Sequence, residues 1–310
     1  MSRKFKIIRD YHKEGEFLYQ KKHVEFEPGL TVLIGCNGCG KTTLMRQVRL
    51  QVEKDLKNPC VVHFDNFADG GHNSMQVSAF HEDFSRVAQQ MCSSEGERIA
   101  IDMEMVARKI GNMMHKYQNE KEFWVFLDGI DSGFSIDAIE ELKRGLFNTI
   151  FSTYPDKDIY ILVTANEYEM ARGEKCFDVV GCRYVGVKSY ERYRNLVLKS
   201  REYKDARIEA AEKRAKKEKE EKLQQRFIEC LNSFNTNAIN ECIKYLDKLP
   251  FEVIDYVLSK TSGINYPNWN YADTILQDYV RRKIDTVEKI QTDESEFKSQ
   301  KQDTSKVVDF

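Results

Sequence analysis

The first 199 residues alternate short apolar runs with stretches in which apolar residues recur at helical spacing. Runs of about five apolar residues suit strands that are covered on both faces of a parallel sheet. Between them, Met103, Val106 and Ile110 share one helical face and predict a helix packed on that sheet. The segment Phe177 to Val187 predicts a closing hairpin. The apolar runs predict strands at Lys6 to Ile8, His23 to Glu27, Leu30 to Ile34, Cys60 to Phe64, Phe123 to Leu127 and Ile159 to Val163.

The pattern changes after residue 199. Residues 200–226 have few large apolar side chains and an excess of three positive charges, with pairs such as Glu209 and Lys213 at a spacing that stabilises helices. Two interpretations stay open for this segment: a solvated connecting helix, or a basic stripe that contacts phosphate. Residues 227–290 return to amphipathic helical spacing and predict a small all-α domain. The polar, aperiodic residues 291–310 predict a disordered tail.

The composition fits a two-domain protein without a membrane segment. The chain has 310 residues, with 48 Lys and Arg against 50 Asp and Glu, for a formal net charge of −2. At roughly 150 residues per domain, this length suggests two domains. Near-neutral charge argues against a uniformly basic nucleic-acid coat, and no apolar run approaches the about 18 residues of a membrane span. Only one pair of the 8 cysteines has metal-like spacing. The set therefore favours reduced thiols in a cytoplasmic protein over a disulfide framework.

A glycine-rich segment follows the predicted strand Leu30 to Ile34. Its sequence G-C-N-G-C-G-K-T-T fits the phosphate-binding pattern G-x-x-x-x-G-K-[ST]. Glycines let backbone N–H groups converge on phosphate oxygens, and the following helix N-terminus adds positive potential. Lys41 is expected to reach the β- and γ-phosphates, and the Thr42 hydroxyl to ligate Mg²⁺. The residues assigned to nucleotide binding are Gly35, Cys36, Asn37, Gly38, Cys39, Gly40, Lys41, Thr42 and Thr43.

A carboxylate ends the apolar run Phe123 to Leu127. Ligands of open α/β sheets bind at the carboxyl edge of the strands, so Asp128 is placed to hold the hydration shell of Mg²⁺. The alternative interpretation is that Asp128 caps a helix. We take Thr42 and Asp128 as the metal-binding residues and Lys41 and Asp128 as catalytic ones.

Residues 27–46, E-P-G-L-T-V-L-I-G-C-N-G-C-G-K-T-T-L-M-R, resemble the opening of the soluble ABC-type ATPase heads of SMC-like and DNA-repair proteins. The segment S-S-E-G-E resembles the signature S-x-G-[EQ] of that family, and G-I-D-S-G-F-S-I-D after Asp128 resembles its Walker B to D-loop passage. The resemblance implies a P-loop ABC-type nucleotide-binding domain over residues 1–199, with ATP and Mg²⁺ as cofactors. It also implies a homodimer that sandwiches ATP, with three residues meeting the γ-phosphate held by the partner: Ser94, Gly96 and Glu97.

Two departures from this family bear on catalysis. Gly129 stands where such heads carry a glutamate base, and Ala165 and Asn166 follow Thr164 where they carry a switch histidine. Because a positioned base contributes about 10²- to 10⁴-fold to a rate, we expect slow hydrolysis or ATP used as a binding switch. Asp131 is the candidate substitute base, with a turn role as the even alternative, and Asn166 is a candidate phosphate contact. Candidates for further nucleotide contacts are Asp65 and Asn66 and, for adenine, Tyr11 or Tyr19.

A second resemblance covers residues 227–290. The segment N-W-N-Y-A-D-T-I-L-Q-D-Y-V-R-R-K is similar to the DnaD-like domain of primosomal proteins from Gram-positive bacteria and their phages, whose motif is Y-x-x-x-I-L-x-x-W. That family binds DNA and self-associates. Core packing is the alternative for the aromatic positions, and a favourable helix end for the basic ones. The resemblance implies nucleic-acid contacts at Tyr271, Arg281, Arg282 and Lys283.

These patterns and resemblances predict an ATPase that dimerises on Mg-ATP and acts on DNA in bacterial or phage replication or repair. The predicted location is the bacterial cytoplasm. The predicted partners are a second copy, DNA and a replication or repair protein, with no membrane. The alternative function is a non-hydrolytic, ATP-gated scaffold of a nucleoprotein complex, which Gly129 and Ala165 favour.

Overall fold

The chain divides into two compact units, Met1–Ala210 and Ala211–Phe310. The structure, a computed structural model, describes residues 2–12, 15–56, 60–66, 69, 95–131 and 134–295, with the backbone alone at 95–100 and 102. Among these residues, none of the helices has both the length and the apolar character that a membrane span requires.

The first unit is built on a six-stranded, mostly parallel sheet. Its strands lie in the spatial order β4 (Val61–Asp65), β5 (Glu122–Asp128), β6 (Asp158–Thr164), β3 (Gly29–Ile34), β7 (Lys175–Asp178) and β8 (Arg183–Val185). The first five run parallel, and β8 pairs antiparallel with β7, as the predicted hairpin requires. A separate antiparallel pair is formed by β1 (Arg3–Lys6) and β2 (His23–Phe26). The predicted α/β class is thereby confirmed.

The first strand differs from its prediction at Lys6 to Ile8. The strand ends at Lys6, which pairs with His23. Beyond it, the Gln47 side chain takes both backbone groups of Ile8: its Oε1 accepts from the N–H at 2.7 Å, and its Nε2 donates to the C=O at 3.2 Å. A helix side chain therefore replaces the neighbouring strand as the hydrogen-bonding partner.

Helices cover both faces of this sheet. Because successive residues of a strand point to opposite faces, Trp124 of β5 lies in the same apolar cluster as Val48 of α1 (Lys41–Asp55), while Val125 lies in the cluster that contains Val106 of α2 (Glu95–Lys116). Trp124 also stacks on Tyr160 of β6, with ring centroids 4.1 Å apart. The α2 side is completed by α3 (Ile136–Leu142), a π-helical turn (Lys143–Phe147), α4 (Asn148–Thr153) and α5 (Tyr168–Ala171). The result is a three-layer core.

The longest helix, α6 (Tyr190–Leu231), contains the whole charged segment 200–226 and the division between the two units. The second unit is helical: the end of α6, α7 (Thr236–Lys244), a 3₁₀ turn (Tyr245–Asp247), α8 (Phe251–Ser262), α9 (Trp269–Arg282) and helical residues 287–295. Its core includes Phe227, Val257 and Leu276. The last helix extends beyond the predicted start of disorder at residue 291, because Ile290 is buried and Glu294 pairs with Lys260 at 2.6 Å.

Candidate functional site

The phosphate loop joins β3 to α1 and is tightly curved. Gly40 precedes the helix with a left-handed φ of 101°, and a Cβ there would lie 2.9 Å from the Tyr19 hydroxyl oxygen, so the position requires glycine. That hydroxyl donates to the Gly40 carbonyl at 2.9 Å, and the Leu44 N–H donates to the same oxygen at 2.8 Å. The Lys41 ammonium folds back over the loop and donates to the Gly35 carbonyl at 2.7 Å.

The opposite side of the site is made by the ends of β5 and β6. Asp128 closes β5, and its Oδ1 accepts a hydrogen bond of 2.5 Å from the Thr164 hydroxyl at the end of β6. The Gly129 N–H donates to the same Thr164 oxygen at 2.8 Å. Asn66, just beyond β4, donates its N–H to the Asp128 carbonyl at 3.0 Å. The Asp128 carboxylate is therefore held from the end of β6, and its backbone carbonyl from the residue that follows β4. Thr164 was not singled out from the sequence, although its place at the end of an apolar run was a usable signal.

These two sides enclose a cleft of about 280 Å³. Two residues that sequence reasoning missed, His12 and Leu18, also line it. Gly35 and Cys39 do not line it: the Cys39 thiol is buried, and burial raises its pKa to about 11, which suits a structural loop residue. The predicted site residues that line the cleft are Cys36, Asn37, Gly38, Gly40, Lys41, Thr42, Thr43, Asp128 and Asn166.

Asp131 lies away from the cleft surface. Its side chain is fully buried, and its Oδ2 accepts the backbone N–H groups of Asn166 at 2.7 Å and Glu167 at 2.8 Å. Its Oδ1 has no hydrogen-bond partner among the described residues. Burial raises the pKa of this carboxyl, and the N–H donors of Glu167 and Asn166 oppose that rise. The placement argues against the predicted base role and for one in which Asp131 fixes the loop that carries Asn166.

The oxygen donors of the cleft fit an open Mg²⁺ site. The Thr42 hydroxyl and the Asp128 carboxylate line the same space. Protein-bound Mg²⁺ usually keeps several waters and uses one or two carboxylates together with substrate phosphates. In the described ranges, no group of three or more His, Cys, Asp or Glu side chains is arranged to hold a metal. The donor set therefore suits a cation that arrives with a phosphate ligand.

The signature-like residues cannot be compared with this cleft. Ser94 lies outside the described residues, and Gly96 and Glu97 lie in the first turn of α2, where only the backbone is described. Of the two adenine candidates, Tyr19 is fully buried and hydrogen-bonded within the loop, so its ring has no free face for a base. Tyr11 stays a prediction.

In the second unit, the positions that resemble the DnaD-like motif lie on different sides of α9. Leu276 and Tyr279 face the core, whereas Tyr271 is 42% exposed at the start of the helix. Its N–H is capped by the Asn268 side chain at 3.1 Å. The Tyr271 side chain is therefore partly exposed, while the motif position Tyr279 serves packing.

The basic end of α9 is paired with carboxylates. Arg281 forms an ion pair with Asp278, and Arg282 lies between Asp278, at 3.2 Å, and Asp293. Lys283 follows the helix with a left-handed φ of 56°. The charges of both arginines are thus compensated by neighbouring acids, which the sequence pattern alone did not reveal.

A strand, a glycine loop carrying a lysine, a helix, and a carboxylate on a neighbouring parallel strand are typical of P-loop nucleotide-binding domains. Sequence comparison agrees at this level. Residues 14–51, which span the phosphate loop and most of α1, match the family described as AAA domain (AAA_23). Residues 221–294, within the second unit, match the family described as replication initiation and membrane attachment (DnaB_2). No curated protein shows significant similarity to the chain.

Proposed function

We propose that the protein is an ABC-type ATPase that binds Mg-ATP in this cleft, dimerises on it and acts in DNA replication or repair. The observation that carries the proposal is that Lys41 and Thr42 of the phosphate loop and Asp128 of β5 line one cleft. The similarity of residues 14–51 to AAA domains supports nucleotide binding, and that of residues 221–294 supports a role in replication initiation.

In this proposal each side chain has one task. The Lys41 ammonium exchanges its loop carbonyl for phosphate oxygens, and the backbone N–H groups at the start of α1 receive the remaining phosphate charge. Thr42 and Asp128 hold Mg²⁺, which neutralises charge on the phosphates. Asn166 lines the cleft and contacts the terminal phosphate or its attacking water. Gly129 offers no base, so hydrolysis is slow.

Dimerisation and DNA contact rest on motif order and family resemblance. Ser94, Gly96 and Glu97 would complete the nucleotide site of a second copy, which makes ATP part of the dimer interface. The second unit would engage DNA or a replication protein, with the exposed Tyr271 and Lys283 as candidate contacts.

The test is Mg-ATP turnover by the full chain and by Lys41→Ala. The matched control is Lys54→Ala, which removes an exposed lysine from the last turn of the same helix. We expect Lys41→Ala to lose turnover and Lys54→Ala to keep the wild-type rate. Equal turnover in all three proteins would show that the activity belongs to a contaminant and would refute the proposal.

The second candidate is a non-hydrolytic scaffold gated by ATP. It is favoured by the burial of Asp131 beneath the cleft, which removes the nearest substitute for the missing glutamate. Size-exclusion chromatography with and without ATP, combined with phosphate release, separates the two functions. ATP-stable dimers that release no phosphate support the scaffold, and turnover that Lys41→Ala abolishes supports the ATPase.

A further inference from the structure

The loops that line the nucleotide cleft are contacted from outside it by α6, a helix that contains none of the nucleotide-binding motifs of the sequence. Tyr193, Ser200 and Lys204 are seven and then four residues apart, so they share one face of the helix. Each contacts a different point of the loops that line the cleft. The face therefore spans the phosphate loop and the segment that follows β6.

The most buried of these contacts is made by Ser200. Ser200 is 4% exposed, and its Oγ accepts a hydrogen bond from the Cys36 N–H at 2.7 Å. The same hydroxyl donates to the Val197 carbonyl at 2.7 Å, so both of its hydrogen-bonding functions are used inside the protein. Cys36 is the second residue of the phosphate loop. Without Ser200 its buried N–H would have no acceptor at this position.

Two further contacts flank this one. The Lys204 ammonium donates to the Asn37 carbonyl at 3.1 Å and lies 3.3 Å from the position that a Cβ on Gly38 would occupy. The Tyr193 hydroxyl donates to the Asn166 carbonyl at 2.9 Å. Asn37, Gly38 and Asn166 all line the cleft.

We propose that Ser200 is a positioning residue of the nucleotide site, acting through the Cys36 N–H, and that Lys204 supports the same loop at Asn37. The inference rests on the proposed nucleotide binding. A phosphate loop must hold its N–H groups in one convergent arrangement before the ligand arrives, and rigidity of this kind is a source of affinity. Ser200 holds the N–H of the Gly35–Cys36 peptide, and Lys41 holds the carbonyl of the same peptide only until its ammonium turns to phosphate.

This arrangement also makes a prediction about α6. Because coupling between two binding equilibria is reciprocal, a ligand that favours the ordered loop must also favour its contacts with Ser200 and Lys204. Amide hydrogen exchange over residues 190–204 is therefore expected to slow when Mg-ATP binds. The slowing should be smaller in Ser200→Ala, because part of the coupling passes through the Ser200 hydroxyl, whereas a serine that only filled space would leave it unchanged.

The experiment compares Mg-ATP dissociation constants of the full-length wild type, Ser200→Ala, Ser200→Thr and Ser189→Ala. Ser189 is the matched control, because its Oγ accepts the Arg192 N–H at 3.2 Å at the exposed start of the same helix. We expect Ser200→Ala to weaken binding about tenfold, equivalent to about 1.4 kcal/mol. Ser200→Thr, which keeps the hydroxyl, should restore most of the affinity, and Ser189→Ala should bind as the wild type does.

A second pair of variants protects the test against misfolding of Ser200→Ala. Lys204→Ala removes an ammonium from the loop, and Lys199→Ala removes an exposed one nearby as its control. Only Lys204→Ala should weaken binding. Wild-type affinity in both Ser200→Ala and Lys204→Ala, or exchange over 190–204 that ignores Mg-ATP, overturns the inference while leaving nucleotide binding intact. A wild type that binds no Mg-ATP overturns the proposed function itself.

Discussion

Thr164 fixes the orientation of Asp128: its hydroxyl donates to the carboxylate at 2.5 Å while accepting the Gly129 N–H at 2.8 Å. The bond joins the ends of two adjacent parallel strands at the edge where the phosphate loop also begins. A hydroxyl that is itself anchored can hold a carboxylate in one rotamer. Partners of this kind behind a metal ligand typically affect metal affinity or activity by about 10- to 100-fold.

Thr164→Val removes this hydroxyl at nearly constant shape. We expect the Mg²⁺ concentration for half-maximal ATP binding to rise about tenfold, because Asp128 loses its orienting donor. Thr31→Val is the control: Thr31 is also buried in the sheet, and its hydroxyl pairs with the Tyr184 hydroxyl at 3.0 Å. Titrating Mg²⁺ at fixed ATP separates the two, and an equal shift in both variants would contradict a specific role for Thr164.

Gly129 has a left-handed backbone conformation, with φ at 67°. For residues other than glycine, this conformation costs roughly 1–2 kcal/mol of conformational free energy. Gly129→Ala should therefore lower the free energy of unfolding by about that amount. The same strain would oppose a glutamate at this position. In contrast, Gly111→Ala in the interior of α2, where a Cβ meets nothing within 4 Å, should raise stability by about 0.5–1 kcal/mol.

Chemical denaturation of both glycine variants measures these changes. If the free energy of unfolding changed with the same sign in Gly129→Ala and Gly111→Ala, the left-handed conformation of Gly129 would not be maintained in solution. Turnover of Gly129→Ala adds a second observation, because the variant keeps the phosphate loop intact.

The sequence predicted what depends on short segments. Apolar runs gave most of the strands because the central strands β3, β5 and β6 are buried on both faces, and the loop from Gly35 to Thr43 is defined by consecutive residues. Contacts between distant segments could not be predicted in this way. Ser200 reaches Cys36 from 164 residues away, and Asp131 is buried because the segment after β6 folds over it. A one-dimensional pattern carries no signal for either.

The buried Asp131 gives stability a pH dependence of defined sign. Burial raises the folded pKa of this carboxyl above its ordinary value of 3.8, so the folded state retains the proton more tightly than the unfolded state. The free energy of unfolding must then fall as pH rises from 3.8 towards the folded pKa, and level off above it. Asp131→Asn keeps an acceptor and removes this titration.

Urea denaturation across the acid range tests that sign. The stability of the wild type relative to Asp131→Asn should decline as pH rises through the window. Asp137→Asn is the control, because the Ser135 side chain lowers the pKa of the exposed Asp137. The contribution of Asp137 to the free energy of unfolding therefore changes with pH in the opposite direction. If the difference in unfolding free energy between the wild type and Asp131→Asn did not change with pH, the raised pKa of Asp131 would be contradicted.

Asp278 restrains the basic residues at the end of α9, since it pairs with both Arg281 and Arg282. If DNA binds at this helix end, Asp278→Asn removes a repelling charge and releases Arg281 for phosphate, while Arg282 keeps its pair with Asp293. We expect tighter DNA binding at low salt and a steeper salt dependence, with log K against log salt gaining about 0.9 for each phosphate newly neutralised. Fluorescence anisotropy of the full chain with labelled single- and double-stranded DNA measures both quantities.

Asp247→Asn is the matched control for this last prediction. It removes one exposed carboxylate that pairs with Lys216 at 3.1 Å, so it changes the net charge of the same unit equally without freeing either arginine. Tighter binding in Asp278→Asn alone places DNA at the end of α9. An equal gain in DNA affinity in both variants would show that the change in net charge alone is responsible, because long-range attraction does not depend on which carboxylate is lost. Absence of salt-dependent binding in every protein would leave a protein partner as the target of the second unit.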